Sequence, residues 1–425
     1  MNSRAQLLKG FRDFLPEQMR VRNYVLSVMK EVFESFGFEP LETPSLEYKQ
    51  TLLGKYGQET DRLVYTFKDK GNRDVGLIYD LTVPVSRVLA SYRNRIKLPF
   101  KRYQVQKVWR EDRPQKGRYR EFTQCDFDIF GVISPLADAE IIAIIFEVLR
   151  RLKLEKFVIR INSRQVLFTI LEKLGIKEVK QQQAILQSID KLDKKSVETV
   201  REELIQKGFT DGLVESVFKE LKRAVPDQNL QLMLELVESF GVPKEFFRFD
   251  PTLARGLAYY TGIIFETIMK EPKIGSVTGG GRYDKLISQL GGPDIPATGT
   301  TIGLDRICDV ISELKLFKER RKTTTQVLVT VFNESLINES LKNFRLLKEK
   351  CLNVEIYLDL GSSLKKQLKY ADKKGIPFAI ILGPKEMKDK MVIIKIMKTG
   401  EQIKVKDREL LKILKEKIKQ WPVKN

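Results

Sequence analysis

Residues 101 to 130 hold two strand-like runs, Lys101 to Trp109 and Phe122 to Phe130. They are separated by the charged segment Arg110-Glu111-Asp112-Arg113-Pro114-Gln115-Lys116-Gly117-Arg118-Tyr119-Arg120. Pro114 and Gly117 supply a turn, so the unit reads as one long antiparallel hairpin. Side chains alternate across a strand, which sorts the second run into two faces. Cys125, Phe127 and Ile129 point into a core, while Phe122, Gln124, Asp126 and Asp128 share the other side. Two carboxylates on one face repel unless they meet water or a cation. A strand facing solvent and a strand lining a polar pocket both satisfy that condition.

Around the hairpin the pattern is that of an α/β multidomain chain. Tyr24, Val25, Val28, Met29, Val32, Phe33 and Phe36 recur at helical spacing, which predicts a helix from about Glu17 to Phe36, started by Pro16 and stopped by Gly37. From about Ser163 to Phe240 the chain is helical and polar, as an insertion or a separate helical subdomain would be. Strands return at Gly262–Met269, Gly275–Thr278 and Thr298–Gly303, and a helix follows from about Leu304 to Leu314. A charged stretch from Leu316 to Lys322 marks a boundary, giving domains of 1–322, with the insertion at about 163–240, and 323–425. In the second domain, strands at Gln326–Phe332, Val354–Leu360 and Phe378–Leu382 alternate with helices, the signature of a compact α/β unit. A strand pair (Met391–Met397, Gln402–Val405) and a terminal helix close it. That helix carries Lys412, Lys415, Lys417 and Lys419 against Glu416, which alone reads as a solvated face.

Composition narrows the chemistry. The chain has 425 residues, of which 42% are hydrophobic, enough for two or three globular domains. No apolar run approaches the ~18 residues of a membrane span, and Met1 to Leu15 lack the apolar block of a signal peptide. Cys125, Cys308 and Cys351 form no framework, as expected of reduced thiols in a cytoplasmic protein. The net charge of +20 fits a polyanionic partner, nucleic acid ahead of membrane, and equally a lysine-rich surface. There is no histidine. That excludes Ser-His-Asp and Cys-His catalysis and any imidazole-ligated metal, so no His/Cys metal site is expected. Phosphate chemistry run by arginine stays open.

Arginines do gather. Arg110, Arg113, Arg118 and Arg120 crowd the hairpin turn with Lys116, and Arg306 sits in the first turn of its helix, where a cation opposes the helix dipole. A bound phosphate would reverse that penalty; an ion pair with Asp305, Asp309 or a remote acid is the alternative. Thr278 to Asp284 is a glycine-rich turn without P-loop spacing. Its glycines either let backbone approach a ligand or form a tight strand-to-helix turn.

The segment Leu253-Ala254-Arg255-Gly256-Leu257-Ala258-Tyr259-Tyr260-Thr261-Gly262 resembles the RGLxYYTG signature of histidyl-tRNA synthetases. Arg110 to Asp128 resembles motif 2 of class II synthetases, Thr298 to Arg306 motif 3, and Gly37 to Glu47 motif 1. Tyr79-Asp80-Leu81-Thr82-Val83-Pro84 and Gly279 to Asp284 match further family segments in order. The resemblance covers nearly the whole chain; RGLxYYTG is its specific part, and motifs 1 and 3 alone would be weak.

The resemblance implies an antiparallel class II catalytic sheet with flanking helices, a helical insertion and a C-terminal α/β anticodon-binding domain. It also implies a cytoplasmic homodimer that joins L-histidine to tRNA(His), with ATP as substrate and Mg2+ accompanying it. Arg110 and Arg255 would be catalytic, Arg110 on the α-phosphate and Arg255 between it and the substrate carboxylate. Arg118 and Arg306 would clamp the terminal phosphates, with Phe122 on adenine and Asp112 near its amino group. Asp80, Thr82 and Gln124 would take the α-amino group. Asp128 and Tyr260, with Tyr259 beside them, would read the imidazole, and Arg113, Gln115 and Lys116 would meet the tRNA acceptor end.

Some positions depart from the family pattern. Ala258 stands where aspartate is common, Lys285 where glycine is frequent, and Asp80, Asp112, Asp128 and Asp305 where many members carry glutamate. A catalytically silent paralogue, regulatory or tRNA-sensing, would be the alternative. This chain keeps Arg110, Arg118, Arg255, Arg306 and the C-terminal domain, which such regulatory paralogues usually lack. A synthetase for another amino acid is opposed by Gln124, Tyr259 and Tyr260.

Overall fold

The computed structural model describes residues 5–55, 61–115, 117–193, 195–254, 259–317, 322–350 and 352–420. The chain divides into two compact units, Met1–Phe317 and Lys318–Asn425, against an expected boundary at 322/323.

In the first unit, the helix Pro16–Ser35 buries Val25, Met29, Val32 and Phe33, the stripe read from sequence. Proline in its first turn and Gly37 at φ +79° after its end set its limits. Four short strands follow: β1 (Glu39–Pro40), β2 (Leu46–Tyr48), β3 (Thr66–Lys68) and β4 (Asp74–Leu77). Then come β5 (Phe100–Trp109) and β6 (Glu121–Phe130), the two arms of the hairpin. β7 (Phe157–Ser163), β8 (Phe247–Phe249), β9 (Ile263–Met269), β10 (Ser276–Arg282) and β11 (Ala297–Gly303) complete the unit.

Among the described residues, eight strands make one sheet in the order β1-β5-β6-β11-β10-β9-β7-β8. From β5 to β7 every pairing is antiparallel; the outer strands β1 and β8 pair parallel. The helices Pro16–Ser35, Pro135–Arg151 and Leu304–Glu313 cover one face, where Cys125, Phe127 and Ile129 of β6 enter the apolar core. β2, β4 and β3 form a small separate sheet.

Five helices span Arg164–Lys173, Val179–Ile189, Val197–Gln206, Asp211–Arg223 and Gln228–Ser239. Their buried Val200, Leu204, Val217, Leu230 and Met233 belong to the same cluster as the main core, and the last helix packs on Pro135–Arg151. The polar segment is therefore an insertion fused to the main core of the first unit, without a core of its own.

β7 was not expected from sequence. All seven of its residues are buried, including Arg160 and Asn162. Arg160 is tolerated there because Nε donates to Asp250 at 2.8 Å and Nη1 to Asp193 at 2.6 Å.

The second unit holds β12 (Val327–Val329), β13 (Val354–Ile356), β14 (Phe378–Ile381), β15 (Met391–Ile396) and β16 (Gln402–Lys406). Their order is β13-β12-β14-β15-β16, with β12 parallel to both neighbours and the rest antiparallel. The helices Ile337–Glu349, Leu364–Lys374 and Leu410–Gln420 accompany them, and the strands are shorter than the apolar runs that announced them. No described helix is long and apolar enough to cross a membrane.

Candidate active site

The hairpin pairs in register from Phe100 opposite Phe130 to Trp109 opposite Glu121. The non-core face of β6, with β10 and β11 beside it, lines a cavity of about 450 Å³. Gln124, Asp126 and Asp128 are only 4%, 3% and 2% exposed, which rules out a solvent-facing strand. Asp80, Thr82, Arg110, Asp112, Gln115, Arg118, Phe122, Gln124, Asp128, Tyr259, Tyr260 and Arg306 all line this one cavity. Arg113 is exposed on the turn and does not. Arg255 and Lys116 lie outside the described residues.

One end of the cavity is cationic. Arg110 donates from Nε to the Tyr79 carbonyl at 3.1 Å, and its guanidinium lies 4.2 Å from the Tyr79 ring centroid and 4.9 Å from that of Phe122. Stacking on two rings fixes a long side chain before any ligand arrives. Asp112 pairs with Arg118 at 2.5 Å. Arg306 donates to the carbonyls of Gly117, at 3.2 Å, and Ser276, tying its helix to the hairpin turn and to β10.

Asp305 is committed elsewhere. Its Oδ1 lies 2.5 Å from Arg12 and 2.7 Å from Arg22, and its Oδ2 accepts from the Thr123 amide at 3.0 Å. Arg12 also lies over the Tyr119 ring at 3.3 Å. The N-terminal segment thus holds the start of β6 and the Arg306 helix together.

The other end is acidic. Asp80 accepts from the Val83 amide at 3.1 Å and from the Tyr259 hydroxyl at 3.3 Å. Asp128 lies 2.7 Å from Arg102 and accepts from the Tyr283 hydroxyl. Gln124 donates to the Thr301 hydroxyl at 3.1 Å. Burial pushes Asp126 up to about 8; Arg102 opposes that shift, and the neighbouring Asp128 and Asp80 reinforce it. Asp128 is raised by burial too, against the pull of Arg102.

The glycine-rich segment is strand, not turn: Gly279, Gly280 and Gly281 lie within β10. A Cβ at Gly280 would come 2.2 Å from the Gly299 carbonyl, and one at Gly281 2.5 Å from that of Ile263. Gly279 has open space above it and lines the cavity. On β11, a Cβ at Gly299 would come 1.9 Å from Asp128 Oδ1, so only glycine lets that carboxylate lie flat on the strand.

Sequence reasoning missed Arg12, Arg22, Arg102 and Tyr283. For Arg102 a signal existed. Closing the hairpin places Arg102 directly opposite Asp128, and opposite charges across an antiparallel pair are mutually stabilising.

The profile of the family described as "Histidyl-tRNA synthetase" matches residues 10–307, and that of "Anticodon binding domain" matches residues 326–417. A histidine–tRNA ligase of Cytophaga hutchinsonii is 40% identical, over 95% of this chain and 97% of its own length. One of Aeropyrum pernix is 41% identical, over 95% and 96% respectively. Among solved structures, the histidyl-tRNA synthetase of Nostoc superposes with a TM-score of 0.81 at 29% identity, covering 97% of this chain and 99% of that one. The apo histidyl-tRNA synthetase of S. aureus, at 23% identity, TM-score 0.73 and coverage of 97% and 100%, shares the fold. Sheet, helical insertion and C-terminal unit are thus those of a class II aminoacyl-tRNA synthetase with an anticodon-binding domain. Within that class, the chain belongs to the histidyl-tRNA synthetase family.

Proposed function

We propose that this chain is a histidine–tRNA ligase, which activates L-histidine with ATP and transfers it to the 3′ end of tRNA(His). Catalysis belongs to residues 1–322 and anticodon reading to 323–425. The observation that carries this is the face of β6, which aligns Phe122, Gln124 and Asp128 in one cavity between an arginine end and a carboxylate end.

In the first step the histidine carboxylate attacks the α-phosphorus of ATP and pyrophosphate leaves. Negative charge builds on the α-phosphate oxygens, where Arg110 and Arg255 stabilise it, and a preorganised cation there is worth several kcal/mol. Phe122 stacks on adenine, Asp112 takes its amino group, and Arg118 and Arg306 hold the terminal phosphates. Asp80, Thr82 and Gln124 bind the α-ammonium; Gln124 Oε1 is buried with no partner, an acceptor suited to an N–H donor. Asp128 and Tyr260 read the imidazole, with Tyr259 beside them. In the second step a terminal ribose hydroxyl of the tRNA attacks the acyl carbonyl and AMP leaves, with Arg113, Gln115 and Lys116 facing the acceptor end.

The described residues contain no group of three carboxylates or thiols placed to cage a metal. Mg2+ would accompany ATP, held chiefly by the triphosphate. A homodimer is supported by the exposed apolar row of Leu46 and Tyr48 on β2 and Phe67 on β3. A cytoplasmic location fits the buried, unpaired Cys125 and Cys308.

ATP–pyrophosphate exchange, run with each amino acid in turn, tests the function. Exchange is expected with histidine alone; none with histidine, or equal exchange with glutamine, overturns it. A silent paralogue would bind tRNA without exchange. The charge of +20 predicts a second result. The log of tRNA affinity should fall steeply and linearly with log salt, through counterion release. A flat response in a filter-binding titration contradicts a basic tRNA surface.

A further inference from the structure

We propose that Arg12 is a positioning residue of the nucleotide end: it braces the hairpin turn against the Arg306 helix, so that Arg118 and Arg306 are set for the terminal phosphates before ATP binds. This deepens the functional reading above and rests on its assignment of those two arginines.

The nucleotide end is built from two segments far apart in sequence. The hairpin turn supplies Gln115, Gly117, Arg118 and Tyr119, and the start of the helix Leu304–Glu313 supplies Asp305 and Arg306. Each segment carries one of the two arginines assigned to the terminal phosphates. A ligand that spans both is held well only if the gap between them is fixed. Arg306 Nε closes the gap directly, on the Gly117 carbonyl at 3.2 Å. Arg12 closes it a second time from behind the cavity wall, since it does not line the cavity itself. Its guanidinium lies 3.3 Å from the Tyr119 ring centroid, and its Nη2 donates to Asp305 Oδ1 at 2.5 Å. One planar group thus touches the residue after Arg118 and the residue before Arg306.

Arg12 is itself held to the turn. The Arg120 amide donates to the Gly10 carbonyl at 2.9 Å, and a Cβ at Gly10 would come 2.8 Å from the Arg120 side chain. The segment that bears Arg12 therefore lies along the outgoing arm of the turn.

Neutralising Asp305 does not account for Arg12. Arg22 already matches that charge: it is buried, its Nη1 donates to the same Oδ1 at 2.7 Å, and its Nη2 donates to the Thr123 hydroxyl at 2.9 Å. The Thr123 amide takes Oδ2. A second guanidinium on one carboxylate oxygen repels the first. Both lie over the Phe14 ring, Arg12 at 4.9 Å and Arg22 at 4.0 Å from its centroid. The contact that Arg12 adds is the stack on Tyr119. Such a stack calls for a flat, delocalised cation, which an ammonium is not.

The experiment measures kcat and the ATP and histidine KM in pyrophosphate exchange, together with the denaturation midpoint. It uses the full-length wild type, Arg12→Ala, Arg12→Lys, Tyr119→Leu and the Arg12→Ala/Tyr119→Leu double variant. The ATP KM of Arg12→Ala is expected to rise about 10-fold, with kcat and the histidine KM within about twofold of wild type, because the terminal phosphates are gripped alike in ground and transition states. Arg12→Lys should recover only a small part of the loss. In the double variant the rise in ATP KM should not exceed the larger of the two single effects, the mark of a shared contact. A residue that served only the fold would lower the midpoint and leave both KM values alone. An ATP KM within about twofold of wild type for Arg12→Ala overturns the inference, as does a histidine KM that rises in step, or full rescue by lysine. If Arg12→Ala does not fold, the ATP KM of Arg12→Lys decides in its place. A wild type that exchanges with another amino acid and not with histidine overturns the functional reading instead, while the ATP KM of Arg12→Ala still tests the brace.

Discussion

Arg110→Ala is expected to lower histidine-dependent pyrophosphate exchange by about 10²- to 10³-fold, the scale of removing one preorganised transition-state contact. Arg110 earns this expectation by geometry. Stacked between Tyr79 and Phe122 and anchored through the Tyr79 carbonyl, it occupies its position before ATP arrives. Truncation loses two cation–π contacts of about 0.5–1 kcal/mol each at a partly exposed site, so the unfolding midpoint should move little. Arg110→Lys keeps the charge but neither the planar stack nor the fork, and should restore only a small part of the rate. Exchange within threefold of wild type for Arg110→Ala would remove Arg110 from the α-phosphate.

Asp305→Ala is expected to cost about 3–5 kcal/mol of stability, the scale for breaking a buried ion pair from one side. The carboxylate is 6% exposed and faces Arg22, at 7%, and Arg12, at 25%. Its loss strands two guanidinium groups and the Thr123 amide together. Chemical denaturation should show a lower midpoint with little change in slope. The control is Asp294→Ala, which breaks the solvent-exposed pair with Lys285 and should leave the midpoint unmoved. An Asp305→Ala midpoint equal to that control would mean that the cluster contributes nothing to the fold.

What could be read in advance follows from the range of each interaction. The sides of β6 were legible because alternation is local: three side chains in the core, four in the cavity. The Pro16–Ser35 helix was legible for the same reason. The Asp305 cluster was not, since it joins positions 12, 22, 123 and 305, and no periodicity reports a contact across that much chain. β7 was missed because Arg160 and Asn162 break its apolar run, and their burial depends on Asp193, Asp250 and the Leu253 carbonyl elsewhere. The glycine-rich segment was misread as a turn because glycine usually marks flexibility. Here it marks strands so crowded by neighbouring backbone that a Cβ has no room. Arg102 lay between these cases, one step of hairpin pairing beyond the alternation already used.

The pitch of β6 has its own consequence. Same-face residues of a strand recur every ~6.6–6.8 Å, so Phe122, Gln124, Asp126 and Asp128 are graduations on a rigid gauge. On the proposed assignment, the gap between the residue that grips the nucleotide and those that grip the amino acid is set by the number of peptide units between them. Adding or deleting one residue inside β6 would turn every later graduation to the opposite side. The same change in the Arg110–Arg120 turn would leave the scale intact. In this strand, spacing is read in whole residues.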